Sequence, residues 1–170
     1  TLPVTWSTTH VALERAAVHG GQSMIVQAAA GGVGLKTVEY AQWLCASAVG
    51  TAGRSQKHAL LHRSGISGMC SSRDGGAFAA GMLWLLCASR SHAVLNSLSA
   101  DFVAASFASL VEDGAFEEIG KRAIWSLSRR IAAAPTTAYG AIALDADMAA
   151  EPAWMHDVLG MLSGRADGGV

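Results

Sequence analysis

Apolar runs rich in Val and Ile alternate along this chain with longer segments rich in Ala and Leu. That alternation predicts strands followed by helices. "SMIVQAAA" (23–30) reads as a strand and "LKTVEYAQWL" (35–44) as the helix after it. "SAVGTAG" (47–53) is a second strand, and "SQKHALLHRSG" (55–65) a second helix stopped by Gly65. "SGMCSS" (67–72) reads as a third strand and "HAVLNSL" (92–98) as a fourth. "ADFVAASFASLVEDG" (100–114) then reads as a helix, with Asp101 in its first turn and Gly114 as its stop. "AFEEIG" (115–120) and "YGAIAL" (139–144) complete the strands, and "EPAWMHDVLGMLSG" (151–164) is a last helix with Pro152 in its first turn. "STTHVALERAAV" (7–18) is read as an opening helix that turns Val11, Ala12 and Ala16 inward.

Strands that alternate with helices imply βαβ units, so the expected fold is an α/β domain with a doubly wound parallel sheet and helices on both faces. A ligand is then expected at the carboxyl ends of the strands. Residues 1–163 are read as this unit and 164–170, "GRADGGV", as a tail or linker. A length of 170 residues suits one domain with a real core. With 51% hydrophobic residues, 15% charged and a net charge of -1, the chain fits neither a disordered segment nor a nucleic-acid tracker.

The longest apolar stretch, Ala77 to Ala88, falls short of the roughly 20 residues a membrane span needs, so no membrane partner is expected. No charged leader with a cleavage site is read at the N-terminus, where the chain starts abruptly, as if cut from something longer. Cys45, Cys70 and Cys87 form no close pair, which points to a reducing, cytoplasmic setting rather than a disulfide framework. His58 and His62 have i,i+4 spacing but no third ligand in view, so they are read as an exposed helix face and no metal is expected.

Gly31, Gly32 and Gly34 fall between a predicted strand and a predicted helix. A dinucleotide turn must be tight and must let backbone approach a pyrophosphate at a helix N-terminus, which glycines allow. Ala28 is read as standing where the stricter pattern carries its first glycine. The same turn serves ordinary strand-to-helix packing equally well. NAD binders usually end the second strand with an acid for the ribose 2′-hydroxyl. Here Thr51, 17 residues beyond Gly34, is followed by Gly53, Arg54 and Lys57 with no acid, which suits a 2′-phosphate and favours NADPH. The alternative is a basic, solvated helix start.

"LPVTWSTTHVAL", "VQAAAGGVGLKTVEYAQWL", "VGTAGRSQKHALL", "VLNSLSADFVAASFASLVEDGAFEEIGKR" and "YGAIALDADM" occur in this order. Together they resemble the cofactor-binding portion of the enoylreductase domain of type I polyketide synthases and animal-type fatty acid synthases. Those domains belong to the zinc-free, quinone-oxidoreductase-like branch of the medium-chain dehydrogenase/reductase superfamily. The resemblance implies a Rossmann-like fold and NADPH-dependent reduction of an enoyl thioester on an acyl carrier protein, beside other domains of one synthase. Thr8 then matches a threonine near the nicotinamide, and Ala30, Gly31, Gly32, Val33 and Gly34 the pyrophosphate turn. Thr51, Gly53, Arg54 and Lys57 match the surroundings of the 2′-phosphate, and Asn96, Ser97, Leu98 and Gly120 further cofactor contacts. Lys121 matches a lysine proposed to help protonate the α-carbon, a role that partial burial would favour, and Asp145 its acidic partner.

The substrate-binding portion of such domains is not matched, and Ala123 stands where the family often carries an acid. A non-catalytic remnant within a synthase and a free-standing quinone or alkenal reductase are the alternatives. Related domains differ in whether they dimerise through this sheet, which leaves a homodimer open.

Overall fold

Strand β1 (Ser23–Val26) sends Met24 and Val26 to one face of a sheet and Ile25 to the other, and all three are buried. A strand apolar on both faces belongs in the middle of a covered parallel sheet. The remaining strands are β2 (Ser47–Ala52), β3 (Met69–Ser71), β4 (Ser91–Asn96), β5 (Leu110–Glu118) and β6 (Ala138–Ala141). They lie in the order β3-β2-β1-β4-β5-β6, every neighbouring pair parallel. The computed structural model describes residues 2–66, 68–86, 90–99, 101–121 and 124–168; Cys87 and Ala123 lie outside them.

Two cores flank the sheet. On one face α1 (Leu2–Arg15), α2 (Gly32–Trp43) and α3 (Ser55–Arg63) bring Val11, Val38 and Leu61 against Met24 and Val26. On the other, α4 (Gly75–Leu86) and α5 (Asp101–Ala108) pack Phe78, Met82, Val103 and Phe107 against Ile25, Val94 and Phe116. Phe107 stacks on Phe116 with ring centroids 4.2 Å apart. Each such side chain contributes about 1.5–3 kcal/mol by leaving water. Short helices α6 (Leu127–Ala133) and α7 (Leu144–Ala150) flank β6, and α8 (Pro152–Asp167) closes the chain.

Besides shifts at element ends (the strand read over 139–144 stops at Ala141, and Leu144 already begins α7) and the unread helix α6, four departures from the sequence reading stand out. First, the helix expected over 100–114 stops at Ala108, and Leu110 already begins β5 opposite Ser91. The extra residues that follow form a bulge in which Asp113 has φ 59, and Gly114 serves close approach to the His92 carbonyl rather than a helix stop. Secondly, the apolar stretch weighed only as a membrane span is α4, whose Ala77 amide is capped by the Asp74 carboxylate at 2.7 Å. Among the described residues no helix is long and apolar enough to cross a membrane. Thirdly, α8 continues past Gly164 to Asp167. Fourthly, His58 is not simply on an exposed face, because its Nε2 lies 3.0 Å from the Ala52 carbonyl.

Candidate functional site

β1 and β4 are neighbours whose connections leave in opposite directions, so the helices part above them and open a crevice at the carboxyl rim. The backbone leaving β1 crosses this crevice. The Ala28 amide donates to the Thr51 hydroxyl at 2.8 Å, and that hydroxyl donates to Gln27 Oε1 at 2.9 Å. Gln27 Nε2 in turn donates to Ser106 Oγ of α5 at 2.9 Å. Thr51 is fully buried, so its hydroxyl fixes the turn from beneath. Ala28 takes φ 50, a left-handed conformation that suits glycine. Counting back from Gly34 and Gly31, however, the first-glycine place of the fingerprint is Ala29, which corrects the assignment to Ala28.

Gly31 precedes α2 and no side chain caps the helix. The first backbone N–H groups, those of Gly32, Val33 and Gly34, are therefore available to an anion. Ala28→Gly is expected to raise stability by up to about 1 kcal/mol, because left-handed backbone costs alanine about that much. A fall in melting temperature would contradict this.

At the end of β2, Gly53 is overlain by Arg73, whose Nε would sit 2.6 Å from a Cβ placed there. Arg54 and Lys57 are exposed beside it. Arg73 was missed in the sequence. Its signal is positional: Ala52 and Ser71 are partners in the parallel ladder, so cations two residues beyond each strand end fall side by side. Asp74, which follows Arg73 in the chain, is engaged in capping α4.

Asn96 ends β4 fully buried. Its Nδ2 donates to the Leu98 carbonyl and to Glu118 Oε2, both at 2.7 Å, while Oδ1 has no partner. Ser97 Oγ donates to the Gln27 carbonyl at 3.3 Å. Burial raises the Glu118 carboxyl above its ordinary range, opposed by hydrogen bonds from Asn96 and Gly120. Ser97, Leu98, Gly120 and Lys121 line a cleft of about 460 Å³.

A second cleft, of about 630 Å³, is lined by Thr8, Val33, Lys121, Asp145, Met155 and Leu159, among others. Lys121 borders both. Its Nζ lies 3.8 Å from Asp145 Oδ2, whereas Asp147 is held by Arg15 at 3.1 Å. The geometry thus separates two carboxylates that the sequence places two residues apart. Both members of the Lys121–Asp145 pair are exposed, at 80% and 77%, so this chain does not supply the burial expected around Lys121. Among the described residues no group of three or more His, Cys, Asp or Glu is placed to hold a metal ion.

The candidate residues thus gather on one rim: the uncapped α2, the cations after β2 and β3, the Asn96–Leu98 loop, and the Lys121–Asp145 pair. No protein-family model matches the chain. It is 41% identical over 126 residues to a highly reducing polyketide synthase of Aspergillus terreus, an alignment covering 71% of this chain and 5% of that protein. It superposes on the crystal structure of CurK enoyl reductase with a TM-score of 0.91 and 28% identity, covering 98% of this chain and 50% of that one. It also superposes on the nucleotide-binding subdomain of the enoylreductase domain of PpsC from Mycobacterium tuberculosis, with TM-score 0.86 and 27% identity. There the match covers 99% of this chain and 96% of the other. The chain therefore spans a small part of its curated relatives, half of one solved reductase, and nearly all of a solved subdomain.

Proposed function

Because the chain belongs to the enoylreductase domains of polyketide synthases, we propose that it is the half that holds NADPH while an α,β-unsaturated acyl thioester, carried on an acyl carrier protein, is reduced. The observation that carries this reading is the common rim, where the uncapped N-terminus of α2 and the Lys121–Asp145 pair lie together. The residues present fit the cofactor. A Cβ at Gly34 would fill the space the turn needs, the buried Asn96 Oδ1 wants a donor, and Arg54, Lys57 and Arg73 offer charge for a 2′-phosphate.

When bound, NADPH supplies hydride to the β-carbon of the enoyl group. The backbone amides at the start of α2 would hold its pyrophosphate, and the Asn96–Leu98 loop would border it. Negative charge then develops on the thioester side of the substrate. Lys121, standing between the two clefts, stabilises that charge and is placed to deliver a proton to the α-carbon. Asp145 orients the ammonium. The apolar wall formed by Val33, Met155 and Leu159 suits an acyl chain. Other domains of the same synthase, in a reducing cytoplasm, supply the tethered substrate, and the substrate-binding portion of the same reductase supplies the facing half of the cleft.

Lys121→Ala is expected to lower reduction of a crotonyl thioester by the complete reductase about tenfold to a hundredfold, with NADPH affinity kept. An unchanged rate would remove Lys121 from the mechanism. The exposure of Lys121 and Asp145 also motivates the second reading, a non-catalytic remnant. Titration followed by nicotinamide fluorescence separates the two, because a remnant would show no saturable binding, or binding without turnover.

A further inference from the structure

Glu118 lies at the carboxyl end of β5, 4% exposed, where two loops of the site meet. Its Oε2 accepts from Asn96 Nδ2 at 2.7 Å, and its Oε1 accepts from the Gly120 amide at 2.6 Å. Asn96 and Glu118 are partners in the parallel ladder, so this bridge follows from register. One carboxylate therefore ties the loop after β4 to the turn that carries Lys121.

The chemistry of the bridge also fixes an orientation. An ionised carboxylate only accepts, so the Asn96 amide must turn its NH₂ toward it. The second proton of that NH₂ goes to the Leu98 carbonyl, and Oδ1 is left as a buried acceptor without a partner. A hydroxyl at position 118 could donate or accept and would impose no such choice.

We propose that Glu118 is a positioning residue. It sets the Asn96 amide, whose NH₂ holds the Leu98 carbonyl in the loop that lines one cleft, and it holds Gly120 so that Lys121 stands between the two clefts. This rests on the reading that NADPH occupies the rim, against the loop and the turn that Glu118 holds.

The substitution Glu118→Gln tests it, since an amide offers one acceptor oxygen to two donors. The first readout needs no cofactor. In the unliganded 170-residue chain, the Gly120 amide and the Asn96 side-chain NH₂ are expected to be protected from hydrogen exchange. In Glu118→Gln at least one of them should exchange about tenfold faster, the equivalent of one charge-assisted hydrogen bond. The second readout is NADPH titration, where Kd should rise about tenfold.

Phe107→Leu is the control. It thins the Phe107–Phe116 stack, lowers the melting temperature and leaves Kd unchanged. Absent protection in the wild-type chain, or unaltered exchange in Glu118→Gln, would overturn the bridge whatever the cofactor does. Altered exchange with an unaltered Kd, or a control that weakens binding equally, would overturn the positioning role. A wild-type chain that binds no NADPH would instead overturn the functional reading, and with it the ligand assigned to the rim.

Discussion

Gly34→Ala is expected to destabilise the chain by about 3 kcal/mol, the upper range for forcing a methyl group into a packed site. The added Cβ would lie 2.6 Å from both Cα and the carbonyl oxygen of Ala29, and 2.7 Å from the Ala28 carbonyl. All three are backbone atoms of the strand-to-helix turn, so no side chain can swing aside. Relief requires α2 to lift off the end of β1, breaking its packing through Val38 and Ala41 on the core. For a chain of this size the loss corresponds to a fall of about 6–12 °C in melting temperature. Gly31→Ala is the contrasting case, because its Cβ would meet only the Ala28 carbonyl, at 3.2 Å, from an ordinary extended backbone. A Gly34→Ala protein as stable as Gly31→Ala would show that the third glycine is not a packing requirement.

The second large effect concerns Glu117, which points to the opposite face of β5 from Glu118 and is 3% exposed. A Cβ at Gly140 would collide with its carboxylate, so the side chain lies against the bare backbone of β6, and Oε2 has no partner. Burial pushes its pKa up to about 7, with Arg15 opposing the shift. A carboxyl with a folded-state pKa above its unfolded one binds its proton more tightly when folded. Stability is thus fully present below the unfolded value and is lost as pH rises through about 7. The full cost above that window is about 3 kcal/mol.

Glu117→Gln removes the titration. The variant should match the wild type near pH 4.5 and exceed it by about 2–3 kcal/mol near pH 8, read from urea midpoints across that range. Parallel stability curves would show that Glu117 does not titrate in this window.

The alternation of β-branched and Ala- or Leu-rich runs was enough to read the parallel sheet, since a buried central strand such as β1 must be apolar on both faces. Other features were illegible for identifiable physical reasons. The segment 75–86 is apolar all round, so it carries no period from which to tell a helix from a span. Leu110 and Val111 continue the apolar spacing of α5, and Gly114 imitates a helix stop while actually serving a bulge.

Within the site, the glycine turn was visible as a local pattern, whereas the loop at Asn96 and the Lys121 segment came only with the family resemblance. Arg73 and the Glu118 bridge were not, because each depends on register between parallel strands, which one-dimensional spacing does not contain. Asp145 was singled out by the resemblance with Asp147 only two residues on, and the Lys121–Asp145 and Arg15–Asp147 contacts distinguish them.

The hydrogen-bonded chain through Ala28, Thr51, Gln27 and Ser106 has a kinetic and entropic consequence for ligand capture. It holds the phosphate turn in shape with no ligand present, so the entropy of ordering that loop is lost during folding, once, and not at each association event. On the proposed reading a diphosphate would meet a rigid receptor, and encounter would need no rearrangement of the turn. The exposed Lys121 and Asp145 side chains are in the opposite regime, with much of their rotamer freedom still to lose when substrate arrives. One end of the crevice is therefore preorganised and the other is not, so on the proposed reading a dinucleotide would bind first and an acyl chain second.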